Sequence, residues 1–552
     1  MKRSNRARTA RVLAGSAALT LVVCALPAVA GAADYCVAPN PSCPAANTYQ
    51  HFEDALAKAD DATDADRILL GEGTYEAPTA SGFGYNQPSS PVEIVGQGED
   101  RTTVTSPPGG SLWVMRLVGG PGSSIHDLTI RLPQSAAGGI IALSTANTAR
   151  RIQVTEDQIE TNWRRGVELL DGATLEDSRV SLAPGNTTAV YLKGGGGTVR
   201  GSALSGWWGV WSVGGGTIER SRVTASGTGV AANRGITTVA RSLIRMTGAD
   251  SVGLSAGPDA AFDVTLNADG VTIIGPGLPQ TDGADLFTNF APSQNATINL
   301  ANSIIRGVSN AMRADATGSG TATIAASYSD YDPSGNSHSG AGSIAEANVS
   351  NVGDAGFADP AGGDFHLLPT SALVDRGDPS PAQGLDLDGN PLVADGNGDG
   401  GARRDLGAFE LQPSRAAGPG GPPPADTQAP LVSAFGASPS RFAVAHGTRF
   451  RYSLSEDARV TLTIRRELPG RRQGGKCVRP TRRLQRAKRC TRYRAIGSLV
   501  RSARSGGNST RFTGRLGRRA LRPGRYSAVI TASDAAGNRS APRRARFRIV
   551  RR

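Results

Sequence analysis

The sequence predicts an all-β fold: a right-handed parallel β-helix solenoid followed by a small β-sandwich. Two observations carry the solenoid. One is composition, since only 5% of the 552 residues are aromatic and 38% apolar, while 71 are glycine. That is thin material for a large globular core, and it suits coils that each need few inward side chains and many tight turns. The other is an internal repeat. Thr174-Leu175-Glu176-Asp177-Ser178-Arg179-Val180 recurs at Thr198 to Leu204, Thr217 to Val223 and Thr238 to Ile244, at intervals of 24, 19 and 21 residues. A period near that length, alternating β-branched with polar residues, is what one coil requires.

A second strand repeats in step, as Gly166-Val167-Glu168-Leu169, Ala189-Val190-Tyr191-Leu192, Gly209-Val210-Trp211-Ser212 and Gly229-Val230-Ala231-Ala232. The valines form an inward column, so by alternation Glu168, Tyr191, Trp211 and Ala231 face outward. Ser178, Ser202, Ser221 and Ser242 are expected to stack as an internal ladder at a bend. Glu176, Arg200 and Glu219 form an outward column of alternating sign, read as a structural charge ladder.

The first 30 residues read as a secretory signal peptide. Lys2, Arg3, Arg6, Arg8 and Arg11 precede an apolar stretch, and Ala28-Val29-Ala30 is a small-x-small cleavage site. Pro27 and the small residues end the apolar run too early for a good membrane anchor, and Val23 before Cys24 makes a poor lipobox. The expected location is secreted or cell-surface, with no transmembrane helix in the mature chain. In an exported chain Cys36 with Cys43, and Cys477 with Cys490, read as two local disulfides. No histidine lies near either pair to favour a metal site.

Residues 49–60 form an amphipathic helix with Phe52, Ala55, Leu56 and Ala59 on one face. A strand from Arg67 to Leu70 and the string Gly71-Glu72-Gly73-Thr74-Tyr75 follow. This succession resembles the opening of pectate-lyase-like β-helix proteins, which implies a helical plug over the open end of the solenoid, where strand edges would be bare. The β-helix is expected over 34–355. From 356 to 410 the series Gly363-Asp364-Phe365-His366-Leu367, Asp386-Leu387-Asp388-Gly389-Asn390-Pro391 and Asp405-Leu406-Gly407-Ala408-Phe409-Glu410 resembles the choice-of-anchor Q segment of exported bacterial proteins. It is expected to form the C-terminal part of the solenoid, and the resemblance implies surface display, not a reaction. A Pro/Gly-rich linker occupies 411–429. Residues 430–552 alternate as strands, and Gly524 to Asn538 resembles the late strands and turn of bacterial immunoglobulin-like modules, which implies a basic sandwich. Charge divides with the domains: residues 426–552 carry 32 Lys and Arg against 5 Asp and Glu, and residues 1–425 carry 28 against 42.

Chemistry is less legible. The strings that mark polygalacturonases and pectate lyases are absent from the repeats, and five scattered histidines give no triad. The candidates are outward residues. Trp163, Trp207, Trp208, Trp211 and Tyr191 are expected to gather into a strip on which sugar faces stack, or else to shield loops against the solenoid wall. Glu168 with Asp171, or Lys193 as base, are the weak catalytic candidates. Asp395, Asn397 and Asp399 match the start of a Ca²⁺ loop, but the closing acid, Asp405, falls eleventh instead of twelfth; a plain Asp/Gly turn is the alternative. No cofactor is required by this reading. The expected partner is a polysaccharide or anionic cell-envelope polymer and not nucleic acid. The function classes left are a non-catalytic glycan-binding surface protein, or a lyase or hydrolase acting on acidic, uronate glycans.

Overall fold

Strands with one apolar residue in two, joined by glycine-rich turns, can bury their apolar side only by stacking on copies of themselves. The structure, a computed structural model, shows that outcome. It describes residues 33–37, 47–60, 65–413 and 429–550 apart from short loop stretches. The signal-like residues 1–30, Cys43 and most of the linker lie outside the described residues. The chain divides into two compact units, Met1–Ser414 and Arg415–Arg552.

The first unit is a right-handed parallel β-helix. One column shows the register. Leu175 pairs with Val199, Val199 with Ile218 and Ile218 with Val239, and the same column runs on to Gly342–Ala347. As far as Ala326 the residues of this column are buried in a single continuous core of stacked Val, Ile, Leu and Ala. The outward neighbours form the expected charge ladder, with Arg200 between Glu176 at 3.7 Å and Glu219, and Arg241 3.1 Å from Glu219.

The serine ladder is real and has a backbone cause. The residue before each serine turns the corner in the left-handed region, as at Asp177, Arg220 and Arg241, all with φ near 47°. The corner leaves an N–H inside the coil, and a buried donor needs an acceptor. Ser178 N–H donates to Ser202 Oγ (3.2 Å), Ser202 N–H to Ser221 Oγ (3.2 Å) and Ser221 N–H to Ser242 Oγ (3.1 Å). Each hydroxyl donates in turn to the carbonyl two residues back, as Ser221 does to Glu219 at 2.9 Å. The device returns at Ser303 and Ser329.

The plug helix spans Phe52–Asp60 and buries Phe52, Ala55, Leu56 and Ala59. It begins later than the pattern predicts because Thr48–Tyr49 is taken as a strand paired with Cys36 and Val37. Cys36 is disulfide-bonded and buried. The segment after residue 355 is a second departure. It adds no coils: the long sheet ends at Gly342–Ala347. Beyond it, Phe357–Asp359 and Asp364–Leu367 form a small antiparallel pair, and the chain lies against the flank of the solenoid. Phe365, Leu387, Ala408 and Phe409 cover Leu243, while Leu367, Leu373, Val374 and Leu406 cover Ile304. Gly407 N–H reaches Asn302 O and Arg404 reaches Asp269. The segment is a brace, and its Asp-rich motif is explained by backbone capping: Asp386 accepts from the N–H groups of Asp388, Asn390 and Glu410.

The second unit is a β-sandwich. Val432–Ser438, Thr448–Leu454 and Gly506–Phe512 make one antiparallel sheet. Ala458–Gln473, Arg489–Ala503, Gly524–Ser533 and Arg543–Val550 form most of the other. Phe442, Phe450, Phe512, Phe547 and Tyr526 fill the space between them. Cys477 and Cys490 are joined, Cα to Cα 6.0 Å.

One further column decides what the solenoid can display. Gly229, Gly253 and Gly283 stack at the same position of successive coils, where a Cβ at Gly253 would meet the Gly283 carbonyl at 2.6 Å and Ile273 at 2.6 Å. Backbone cannot retreat from such a contact. Gly253→Ala is therefore expected to destabilise the first unit by about 1–3 kcal/mol. Gly195→Ala, which meets nothing within 4 Å, is the neutral control, and chemical denaturation followed by circular dichroism compares them. Equal midpoints would remove the packing argument.

Candidate functional site

The glycine column interrupts the pleat. The paired register skips it, running from Thr228↔Val252 straight to Val230↔Leu254, and from Val252↔Asp282 to Leu254↔Ala284. A residue two places before the inward Leu254 or Ala284 would face the core in a regular strand. The interruption of pairing at the glycine returns it to the outside. Each coil thus presents outward residues at two neighbouring points of one face, and stacking extends both as columns.

Along those columns the chemistry is segregated. Arg165, Thr188, Trp208, Thr228, Val252, Asp282 and Asn310 form one; Glu168, Tyr191, Trp211, Ala231, Ser255, Asp285 and Arg313 form the other. The face begins with an ion pair, continues through a cluster of rings, crosses a saddle of small side chains and ends in carboxylates around one arginine.

All five predicted rings meet. Trp208 contacts Trp163 edge-on (5.0 Å), Trp211 (4.6 Å, 76°) and Trp207, on which it stacks at 16°. Trp211 continues to Tyr191 at 5.2 Å. Trp163 is 39% exposed and is the ring most open to a ligand, while the Trp211 indole N–H donates to Asn233, which donates to Gly257 O at 2.7 Å. Tyr191 departs from the expected strip. It is only 8% exposed because the Arg165 guanidinium lies over its ring at 3.7 Å.

The predicted acid/base candidates do not assemble. Glu168 is 4% exposed and gives its carboxylate to Arg165 at 2.9 Å. Asp171 lies past the strand end in a turn with φ 47°, and Lys193 is exposed at the end of its own strand. No hydrogen bond joins Glu168 to Asp171 among the described residues.

The other end of the face carries groups that the sequence reading missed. Arg313 Nε lies 2.9 Å from Asp285 and 3.7 Å from Asp315, and its Nη2 is 3.4 Å from Asp282. Asn310 Nδ2 donates to Asp282 at 2.7 Å, and Ser339 donates to Asp315 at 2.7 Å. Asp282 and Asp285 are 4% and 5% exposed. Burial, with Asp282 nearby, raises the Asp285 pKa above the ordinary carboxylate value against the opposing pull of Arg313. Two carboxyl groups on one guanidinium, one of them raised above its ordinary pKa by burial, can divide acid and base roles. The signal was present in the sequence as Asp282-Gly283-Ala284-Asp285 and Arg313-Ala314-Asp315, at the same coil position as Trp208 and Trp211.

The predicted calcium ligands separate. Asp395, Asn397 and Asp399 accept N–H groups of their own loop, at Asp399, Gly400 and Gly401. Asp405 is buried elsewhere and accepts from Asp375 N–H (2.7 Å) and Leu411 N–H (2.6 Å). Its oxygens are occupied by backbone donors, so the four residues do not form one ligand set, and no group of three or more His, Cys, Asp or Glu is arranged to hold a metal among the described residues.

No family model and no curated protein matches the chain. Among solved structures it is similar to pectate lyase Pel9A, at 13% identity and TM-score 0.41, over 70% of this chain and 98% of that one. It is also similar to the A-module of the Azotobacter vinelandii mannuronan C-5 epimerase AlgE4, at 12% identity and TM-score 0.38, over 54% and 90%. The catalytic domain of a GH87 α-1,3-glucanase in complex with tetrasaccharides matches at 12% and 0.30, over 56% and 68%. Likenesses this distant do not bear on activity, and the fold stands on the strand ladder itself.

The brace yields a pH prediction. Burial and the neighbouring carboxyls push Asp405 up to about 7 and Glu410 up to about 9. Raised values mean that the folded state keeps protons that the unfolded chain releases near about pH 4. The stability contributed is full below that point and is lost as pH rises through 7 and then 9. The first unit is expected to melt at lower temperature at about pH 9 than at about pH 6, with Glu410→Gln flattening the upper part of the slope. Calorimetry across that range checks it; a melting temperature independent of pH in the wild type would refute it.

Proposed function

We propose that the solenoid is an exported glycan-binding unit that holds a polysaccharide chain along this face. The observation that carries the reading is the five-ring cluster, built from two adjacent columns over three coils and the turn beside them. Apolar sugar faces stack on such rings, and flanking Asn and Arg groups bind hydroxyls. Export is supported by the signal-like N-terminus and by the Cys477–Cys490 disulfide, since such bonds persist in oxidising compartments. The choice-of-anchor resemblance of the brace favours display at the cell surface.

Trp208→Ala with Trp211→Ala is expected to weaken retention on the preferred polysaccharide at least tenfold in affinity electrophoresis, since a stacked aromatic is worth about 0.5–1.5 kcal/mol beyond its burial. Retention unchanged in the double variant would reject the site.

A second reading, cleavage of the bound chain, is favoured by Asp282, Asp285 and Arg313. The carboxylates outnumber the cation at this end, which suits an uncharged sugar better than a uronate. In this reading Asp285 donates a proton to the departing glycosidic oxygen, while Asp282 takes one from the water that attacks the anomeric carbon. Asp285→Asn is then expected to reduce release of reducing ends at least 100-fold on uncharged polysaccharides, with retention on the same polymer kept. A wild type that binds glycan and releases nothing would leave the solenoid a binder alone.

A further inference from the structure

The second unit places arginine opposite arginine. Within its larger sheet Arg525 faces Arg548, Arg466 faces Arg494 and Arg471 faces Arg489, each as a directly paired cross-strand residue. Residues directly opposite in an antiparallel pair share a side, and like charges there are destabilising. None of these six is ion-paired to a carboxylate among the described residues. The repulsion is retained three times in one sheet, which concentrates positive charge on this domain.

The hairpin carries that field away from the sandwich. The strand Ala458–Gln473 is paired on both sides as far as Arg466, which is the last residue to meet Gly524–Ser533. Beyond it the chain is accompanied only by Arg489–Ala503 and, at the tip, by Lys476–Val478. Residues 471–494 hold eleven Lys and Arg and no Asp or Glu. A two-stranded arm of this kind is marginal by itself. The Cys477–Cys490 bond closes it, passing over Gly470, where a Cβ would meet the sulfurs at 2.5 and 3.1 Å. The arm is therefore held in one shape without a core; Arg472, Arg479, Arg482, Arg483, Arg486 and Arg489 are exposed, while Arg471, which donates to Ala487 O at 2.7 Å, and Arg492 are half-buried.

We infer that this stapled arm is a docking surface for a linear anionic polysaccharide. These exposed guanidinium groups, three of them in and just after the 3₁₀ turn Arg482–Leu484, fit regularly spaced carboxylate or sulfate groups, to which arginine donates in pairs. Occupancy also relieves the repulsion within the arm, between Arg471 and Arg489, so the ligand stabilises the domain that binds it. This goes beyond the solenoid reading and rests on a different unit.

The test uses the full chain with alginate as the polyanion, dextran as the uncharged control and duplex DNA as the rival. The variant replaces Arg482, Arg483 and Arg486 at the tip by serine, and a parallel variant replaces them by lysine. The serine variant is expected to bind alginate at least tenfold more weakly and to flatten the dependence of log K on log salt by about two, for three lost contacts. The lysine variant keeps most of the affinity, and alginate raises the melting temperature of the wild type. The same differences persist in the Trp208→Ala and Trp211→Ala background, which separates this surface from the solenoid face. Equal alginate affinity in the wild type and the serine variant would overturn the inference. So would DNA bound tenfold more tightly than alginate at equal salt, or salt-sensitive self-association with no retention on alginate, which would assign the arm to a second copy of the chain.

Discussion

Everything in the solenoid depends on the backbone ladder between coils. Parallel pairing fixes neighbouring strands about 4.8 Å apart, so a side chain in one coil stands directly over its counterpart in the next. Inside, this produces unbroken files of Val, Ile and Leu. Outside, it turns sequence positions about twenty residues apart into contacts, including the charge ladder through Arg200 and the contact of Tyr191 with Trp211. The face is in effect a printed surface whose lines are single columns.

That explains what could be read beforehand. Coil length, the valine column, the serine ladder and the plug helix repeat or alternate, and they follow from period and parity alone. Asp282 escaped because parity assigns it to the core with Ala284 and Leu286; only the interruption at Gly283, where a Cβ would meet the Ala311 carbonyl at 2.7 Å, turns it outward. The brace escaped for a different reason. Its residues 356–410 have no period, and their place is set by apolar patches on the solenoid flank, Leu243 and Ile304, that are recognisable only once the coils are built. Asp405 sits near the spacing of a cation loop, yet its oxygens are taken by backbone N–H groups.

The two units handle charge in opposite ways. In the solenoid, carboxylates are consumed locally, by arginines across the ladder or by backbone donors in the brace. In the sandwich, the cations are left facing one another. The first pattern leaves little net field on the solenoid wall, whereas the second leaves a concentrated positive field that suits a polyanion.

The serine ladder has a direction. Ser178 depends on Ser202, Ser202 on Ser221 and Ser221 on Ser242; in every case the N–H of the earlier coil is satisfied by the hydroxyl of the later one. A chain emerging from its N-terminus therefore carries its newest bend open until the following coil arrives. A solenoid cut after any of these coils leaves its last corner N–H without a serine acceptor, while the first corner keeps its own, so the two ends of the ladder are not equivalent.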